Sequence, residues 1–308
     1  MNEEENKVTT AKPVEEGDTM TAPRPSAWRT MGTEIYKDKI ALVAIILFVS
    51  TLLAIFIGSA ILTGTPGTET NLLLRNAPRT PEFILGNDSQ GRGVFEMLII
   101  GGRNTILVGA SVAILANTFG ILLGLVAGFY GGHIDNVIMR FVDTWQMLPT
   151  LMMIIVVVSI MPNYQVHHFV LVMAAFGWVG TCRIMRAKAL QQRNLDYVSA
   201  SKTLGTRNIV IMFREVFPAL VPVITVNLTL GLAGSMGIET GLTFLGFGLP
   251  LGTPSVGRLI ALANNPATLQ FRMNQWLPAS LLIFGLMMCI YCVGQALNRA
   301  SDVRSRRG

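Results

Sequence analysis

Uncharged apolar runs recur along the chain at residues 40–62, 104–130, 144–161, 164–182, 216–238 and 273–298. A helix needs about 20 such residues to cross the hydrocarbon core of a bilayer. The pattern therefore predicts an all-α integral membrane protein with six transmembrane helices. The first run is too long, and begins too far into the chain, for a cleaved signal peptide, and no small-residue cleavage site follows it. The polar stretches divide the rest. Residues 1–38 are polar, contain Pro and show no apolar period, which predicts a disordered tail. Residues 63–100 form an outer segment, 101–298 a five-helix core, and 299–308 a short basic tail.

Residues 183–217 break the pattern, because they are polar and basic while apolar runs flank them. The fourth run continues as "RIMRAKALQQR", in which Arg183 and Arg186 can snorkel to the headgroups. Asp196 then suits a helix start, and Val198, Ser201 and Leu204 recur at helical spacing until Gly205 ends the helix. A second amphipathic run, Ile209, Met212, Phe213, Val216 and Phe217, leads to Pro218. Two readings stand for this insert: a lever that docks onto a partner, or an amphipathic helix lying on the membrane surface.

Composition agrees with the membrane class: 51% of residues are hydrophobic and 14% charged, against about 25% charged in soluble domains. With six spans and an inner N-terminus, eighteen Lys or Arg fall on the inner side and six on the outer. That asymmetry predicts cytoplasmic termini. The net charge of +6 then follows from topology and calls for no nucleic acid. Trp28, Arg29, Lys37 and Lys39 are placed for headgroup contact ahead of the first span. Cys182, Cys289 and Cys292 fall within spans and read as small packing residues, while His167 and His168 lack the spacing of a metal site.

Gly120, Gly124 and Gly128 share one face of the second span and predict close helix packing within the bundle. Gly231, Gly234, Gly237 and Gly241 stud the fifth span, whose start carries Pro218 and Pro222. Arg140 and Asp143, three residues apart, are expected to pair at the inner end of the third span. Glu239 lies at the far end of the fifth span, where an acid is costly, and reads equally as structural or as part of a pathway. No G-x-x-x-x-G-K-[ST], H-E-x-x-H or G-x-S-x-G occurs, so no nucleotide loop or hydrolase constellation is legible.

"YVSASKTLGTRNIVIMFREVFP" resembles the coupling motif of permease subunits of ATP-binding-cassette importers, with Tyr197, Val198, Ala200, Lys202, Leu204, Gly205 and Pro218 in matching places. "LGNDSQGRGVFEMLIIGGRNTI", "AGFYGGHIDNVIMRFVDTWQMLP" and "ETGLTFLGFGLPLGTPSVG" resemble, in order, segments of the dipeptide/oligopeptide/nickel branch and its C-type subunit. The likeness spans residues 85–295. Ser201 stands where that branch has Ala, Glu215 where it commonly has His, and Val256 where it has Trp.

The resemblance implies a type I importer permease fold with a cytoplasmic coupling helix carried by Tyr197, Val198, Ser199, Ala200, Ser201, Lys202, Leu204 and Gly205, followed by Phe213 and Pro218. It implies a second homologous permease, two cytoplasmic ATPases that bind ATP and Mg, and an external solute-binding protein, in the plasma or inner membrane of a prokaryote. The chain itself would hold no cofactor or metal and catalyse nothing. Peptides are the expected cargo, with nickel or a nickel chelate the alternative within the branch. A membrane enzyme or a scaffold protein is the alternative from a different class.

Overall fold

A computed structural model describes residues 39–81 and 83–307. The expected tail 1–38, with Trp28, Arg29 and Lys37, lies outside them. Among the described residues the fold is all-α, apart from one isolated bridge between Asn87 and Gly93. α1 (Lys39–Leu62) buries Ala41, Ala44, Ile55 and Ser59 and turns most of its large apolar side chains outward. Outward Ile and Leu suit a helix bathed in lipid.

α2 (Val94–Tyr130) is the axis of the bundle. Its 37 residues rise about 1.5 Å each and so reach about 55 Å, well beyond a hydrocarbon core of about 30 Å. The helix starts ten residues before the apolar run, and these added turns carry Glu96 and Arg103. Its far end stops at Gly131 and Gly132, whose φ values of +65° and +56° turn the chain into α3 (Gly132–Gln146).

The third and fourth apolar runs do not form straight spans. After α3 the chain bends by 74° into α4 (Thr150–Ile160), at Pro149. Proline has no N–H to give and disfavours helical geometry at the preceding Leu148, so the run 144–161 is split. α5 (Val166–Gly177) meets α6 (Val179–Arg193) at 44°. There the indole N–H groups of Trp145 and Trp178 both donate to the Ala175 carbonyl, at 3.1 and 2.9 Å. Side chains inserted into a helix ladder bend it.

α7 (Asp196–Thr203) and α8 (Asn208–Ile211) follow, then a π turn at Met212–Val216 and α9 (Phe217–Phe244). α10 (Val256–Ala261), α11 (Pro266–Phe271) and α12 (Met273–Arg307) complete the chain. Four helical stretches are long and apolar enough to cross a membrane, and up to six cross if each bent pair counts as one span.

α2 and α6 make the most extensive helix contact. A Cβ added at Gly120 would lie 2.7 Å from the Trp178 carbonyl oxygen. One at Gly124 or Gly128 would fall closer still to the carbonyls of Cys182 and Arg186. The three glycines thus seat one backbone on the other, as their spacing predicts. Gly180, on the opposite side of α6, has open space around it. Gly124→Leu is expected to force the two backbones apart and to lower the unfolding temperature in detergent by several degrees. Overpacking of this kind costs about 1–3 kcal/mol or more, whereas Gly180→Ala is expected to leave the temperature within a degree. Thermal unfolding of the two purified variants checks the contrast.

Candidate functional site

α7 lies where α6 and α9 are joined, at the end of α2 that carries Phe129. Asp196 occupies its first turn and Lys202 its last, complementing the helix dipole. Gly205, with φ +80°, closes it: its N–H donates to the Lys202 carbonyl at 3.0 Å, and the Thr206 N–H to the Ser201 carbonyl at 3.1 Å. This pair of bonds is a Schellman motif, which needs the left-handed backbone that glycine adopts freely.

The two faces of α7 differ sharply. Val198 is fully buried with Leu125 and Phe129 of α2, Met185 of α6, and Ile211 and Met212 beyond the turn. Burying one valine contributes roughly 1.5 kcal/mol or more. Tyr197 and Ala200 are exposed, and Leu204 is 84% exposed. Val198 and Leu204 therefore do not form the single apolar side expected from their spacing. The second run is sorted likewise: Met212 and Val216 are buried, whereas Ile209 and Phe213 face outward. An apolar pattern alone does not reveal which residues face a bundle and which a surface.

Ser201 and Glu215, two of the positions that depart from the resembled branch, meet. The Ser201 hydroxyl lies 2.8 and 2.9 Å from the two carboxylate oxygens of Glu215, tying α7 to the π turn. Partial burial of its ring, and then the nearby Glu215 carboxylate, hold the Tyr197 phenol above its usual range. The Tyr197 hydroxyl donates to Gln192 at 2.9 Å, and Lys202 Nζ sits 5.5 Å from the centre of the Phe129 ring. Ser199, like Ala200, is exposed. Pro218, near the start of α9, cannot supply a backbone donor, and the ladder above it is widened by the π turn.

Charged residues brace the same end. Arg186 of α6 holds Asp135 of α3 through two hydrogen bonds of 2.5 and 2.6 Å, and Arg193 donates to the Tyr130 carbonyl at 3.1 Å. The expected Arg140–Asp143 pair does not form. Asp143 instead binds Arg183 of α6 at 2.5 Å. Arg140 is exposed and makes no ion pair among the described residues.

Toward the opposite end of α2, Glu239 is fully buried. It accepts hydrogen bonds from Thr243 at 2.9 Å, Ser255 at 3.0 Å and Thr240 at 3.3 Å, and Thr105 of α2 also reaches it. The carboxylate thus seats the segment before α10 against α2 and α9. Gly101 and Gly257 allow the close approach, since a Cβ at either would clash with backbone atoms of that junction. Arg258 closes the loop by donating to the Leu249 and Pro250 carbonyls, at 2.9 and 3.1 Å.

Between these ends a cavity of about 220 Å³ opens among α2, α4, α5, α6 and α9. Three polar side chains on its wall, Asn117, Thr181 and Asn227, are bonded to one another. Sequence reasoning passed over this trio because single Asn and Thr residues in apolar runs carry no motif. Glu239 does not line the cavity, although its neighbour Ile238 does.

Residues 120–307 match the protein family described as "Binding-protein-dependent transport system inner membrane component". The chain is similar to the oligopeptide transport system permease protein OppC of Lactococcus lactis subsp. cremoris (strain SK11), with 39% identity over 88% of this chain and 92% of the relative. It is also similar to OppC of Bacillus subtilis (strain 168), 30% identical over 92% of this chain and 91% of the relative. The dipeptide transport system permease protein DppC of the same organism is 28% identical over 100% of this chain and 92% of its own length.

Glu239→Ala is expected to leave its buried hydroxyl donors without an acceptor and to destabilise this junction by about 1–3 kcal/mol. Glu239→Gln, which keeps an acceptor oxygen, should lose less than half as much. Unfolding temperatures of the two variants in the same detergent check this order.

Proposed function

This chain belongs to the family of binding-protein-dependent transport system inner membrane components, and from that premise we propose that it is the C-type permease of a peptide importer and that α7 is its coupling helix. The chain is a multi-pass membrane protein and a transport subunit, with no chemistry of its own to perform. Peptides are the proposed cargo because the relatives it matches over nearly their whole length carry names that specify oligopeptides or dipeptides.

One observation carries the coupling assignment. α7 offers Tyr197, Ala200 and Leu204 outward, while Val198 is locked into the core shared by α2, α6 and the start of α9. A push on the outer face is thereby delivered to three long helices at once. The proposed partners are two cytoplasmic ATPases, which bind ATP and Mg and grip α7, a second homologous permease, which completes the pathway, and an external solute-binding protein. The charge asymmetry supports six crossings with both termini in the cytoplasm, residues 183–217 as the coupling loop, and the 63–100 and 246–276 segments outside. The permease core is then 101–298, preceded by the first helix and followed by the basic tail, in the cell membrane of a prokaryote.

The mechanism is alternating access. Closure of the ATPase pair on ATP draws the two coupling helices together and opens the pathway outward, and hydrolysis resets it. ATP need only bias an existing equilibrium: about 5.5 kcal/mol of differential binding moves two states from 1:99 to 99:1. Within this chain the work falls to Ser201–Glu215, the Gly205 turn and the α2–α6 contact, which keep α7 from slipping relative to the spans.

Gly205→Val is expected to leave the protein inserted but to abolish ATP-driven uptake. Open space surrounds Gly205, so the damage comes from the left-handed backbone, which costs most side chains roughly 1–2 kcal/mol. Gly205→Asn, which tolerates that backbone, should keep most uptake. Full uptake by the valine variant in vesicles would refute the docking assignment. In a chain freed of Cys182, Cys289 and Cys292, single cysteines at Ala200 and Leu204 are expected to crosslink to an ATPase subunit, while one at Val198 is not. Crosslinking at none of the three would favour a helix that merely lies on the membrane.

A further inference from the structure

Asn117 is the midpoint of the apolar run 104–130, and Asn227 the midpoint of the run 216–238. Two amides therefore sit near the centre of the bilayer, where unpaired polar groups are costly and commonly mark a solute path. Their bonding is specific. Asn117 Oδ1 accepts from the Thr181 hydroxyl at 3.0 Å and from Asn227 Nδ2 at 2.7 Å. Asn227 Nδ2 also donates to the Thr181 hydroxyl, at 2.9 Å. The Asn227 NH2 group is thus committed to the trio, and Asn117 is fixed further by donating to the Ala113 carbonyl at 2.7 Å.

One strong acceptor is left over, Asn227 Oδ1, which takes no hydrogen bond among the described residues. Asn227 is half-buried and lines the cavity. A trio serving only to glue helices together would not need to leave its outermost oxygen free. Thr150 and Ser235 add hydroxyls to the wall, and no Asp, Glu, Lys, Arg or His lines it. Such a surface has no ionised group to pair with a charged side chain. It can accept an N–H.

We propose that Asn227 Oδ1, oriented by Asn117 and Thr181, accepts a hydrogen bond from backbone N–H groups of a peptide crossing the cavity, making the trio an amide-reading wall indifferent to side-chain identity. This rests on the importer reading above. The cavity, at about 220 Å³, is smaller than the roughly 300–1,000 Å³ of pockets that enclose a whole small ligand. It therefore engages a short stretch of extended chain as it passes. Asn227 is a specificity residue in this scheme, and Asn117 and Thr181 are positioning residues.

The test uses the permease with its partner subunits in proteoliposomes and two probes: trialanine, and its analogue in which an ester oxygen replaces a backbone N–H. Maximal uptake rates are compared with saturating, fully loaded binding protein, so that the binding protein's own preference drops out. The wild type should move trialanine about fivefold faster than the ester, the worth of one typical hydrogen bond. Asn227→Leu should erase that ratio by slowing trialanine alone. Equal maximal rates in the wild type, or an undiminished ratio in the variant, would overturn the inference while leaving the importer reading intact. If Asn227→Leu does not assemble, the wild-type ratio decides by itself. A wild-type complex that moved neither probe would instead overturn the peptide-importer reading, and this inference with it.

Discussion

Backbone-to-backbone contact between α2 and α6 is the constraint on which the rest of the structure depends. Gly120, Gly124 and Gly128 remove the side chains that would hold the two helices apart. Lipid tails are as apolar as leucine, so helices in a membrane gain little from hiding apolar surface and must associate through close packing and hydrogen bonds. The glycine face supplies the packing. Asn117–Thr181 and the Arg193–Tyr130 carbonyl bond supply polar ties at the middle of the pair and at its end. The contact runs from Asn117 to Tyr130 of α2 and along α6, making this part of α2 and α6 one unit.

That unit joins the two places where function is proposed. At one end Val198 inserts α7 into it, and Phe129 lies beneath Lys202. At mid-depth the same pair contributes Asn117 and Thr181 to the cavity wall. In the proposed scheme a displacement of α7 would be carried to the cavity by these helices, and α9 takes part in both places through Leu220 and Asn227. The junction toward the other end of α2 is built differently. There a single buried carboxylate, Glu239, collects hydroxyls from α9 and from the segment before α10. The segment before α10 is held by hydrogen bonds to that acid and by Arg258, and the α7 end by packing and ion pairs.

Much of this was legible in the sequence because hydropathy in a membrane protein is read directly: a run of spanning length has few other uses. The glycine stripe and the Gly205 helix end were legible for a related reason, since each marks a position where a Cβ or an ordinary φ is excluded. The bends were harder. Pro149 signals a break, but the apolar run continues through it, and nothing in the local pattern says that two indoles converge on Ala175. Pairings between helices were hidden for the same reason. Asp143 has Arg140 within reach on its own helix and yet binds Arg183, 40 residues away in the chain. Ser201 and Glu215 each looked like an isolated departure, and only the turn between them makes a bond of the two. The Asn117–Thr181–Asn227 trio belongs to this class, because its members come from three helices and meet only in the fold.

The central claim is that α7 is a handle for separate ATP-driven subunits. It is tested most directly by purifying the tagged chain from its native membrane in mild detergent and identifying by mass what accompanies it. A second multi-span permease together with P-loop ATPases is the expected result, with the ATPases lost when Gly205 is replaced by Val. Recovery of the chain alone, under conditions that keep other membrane complexes whole, would contradict the claim and leave α7 a helix resting on the bilayer.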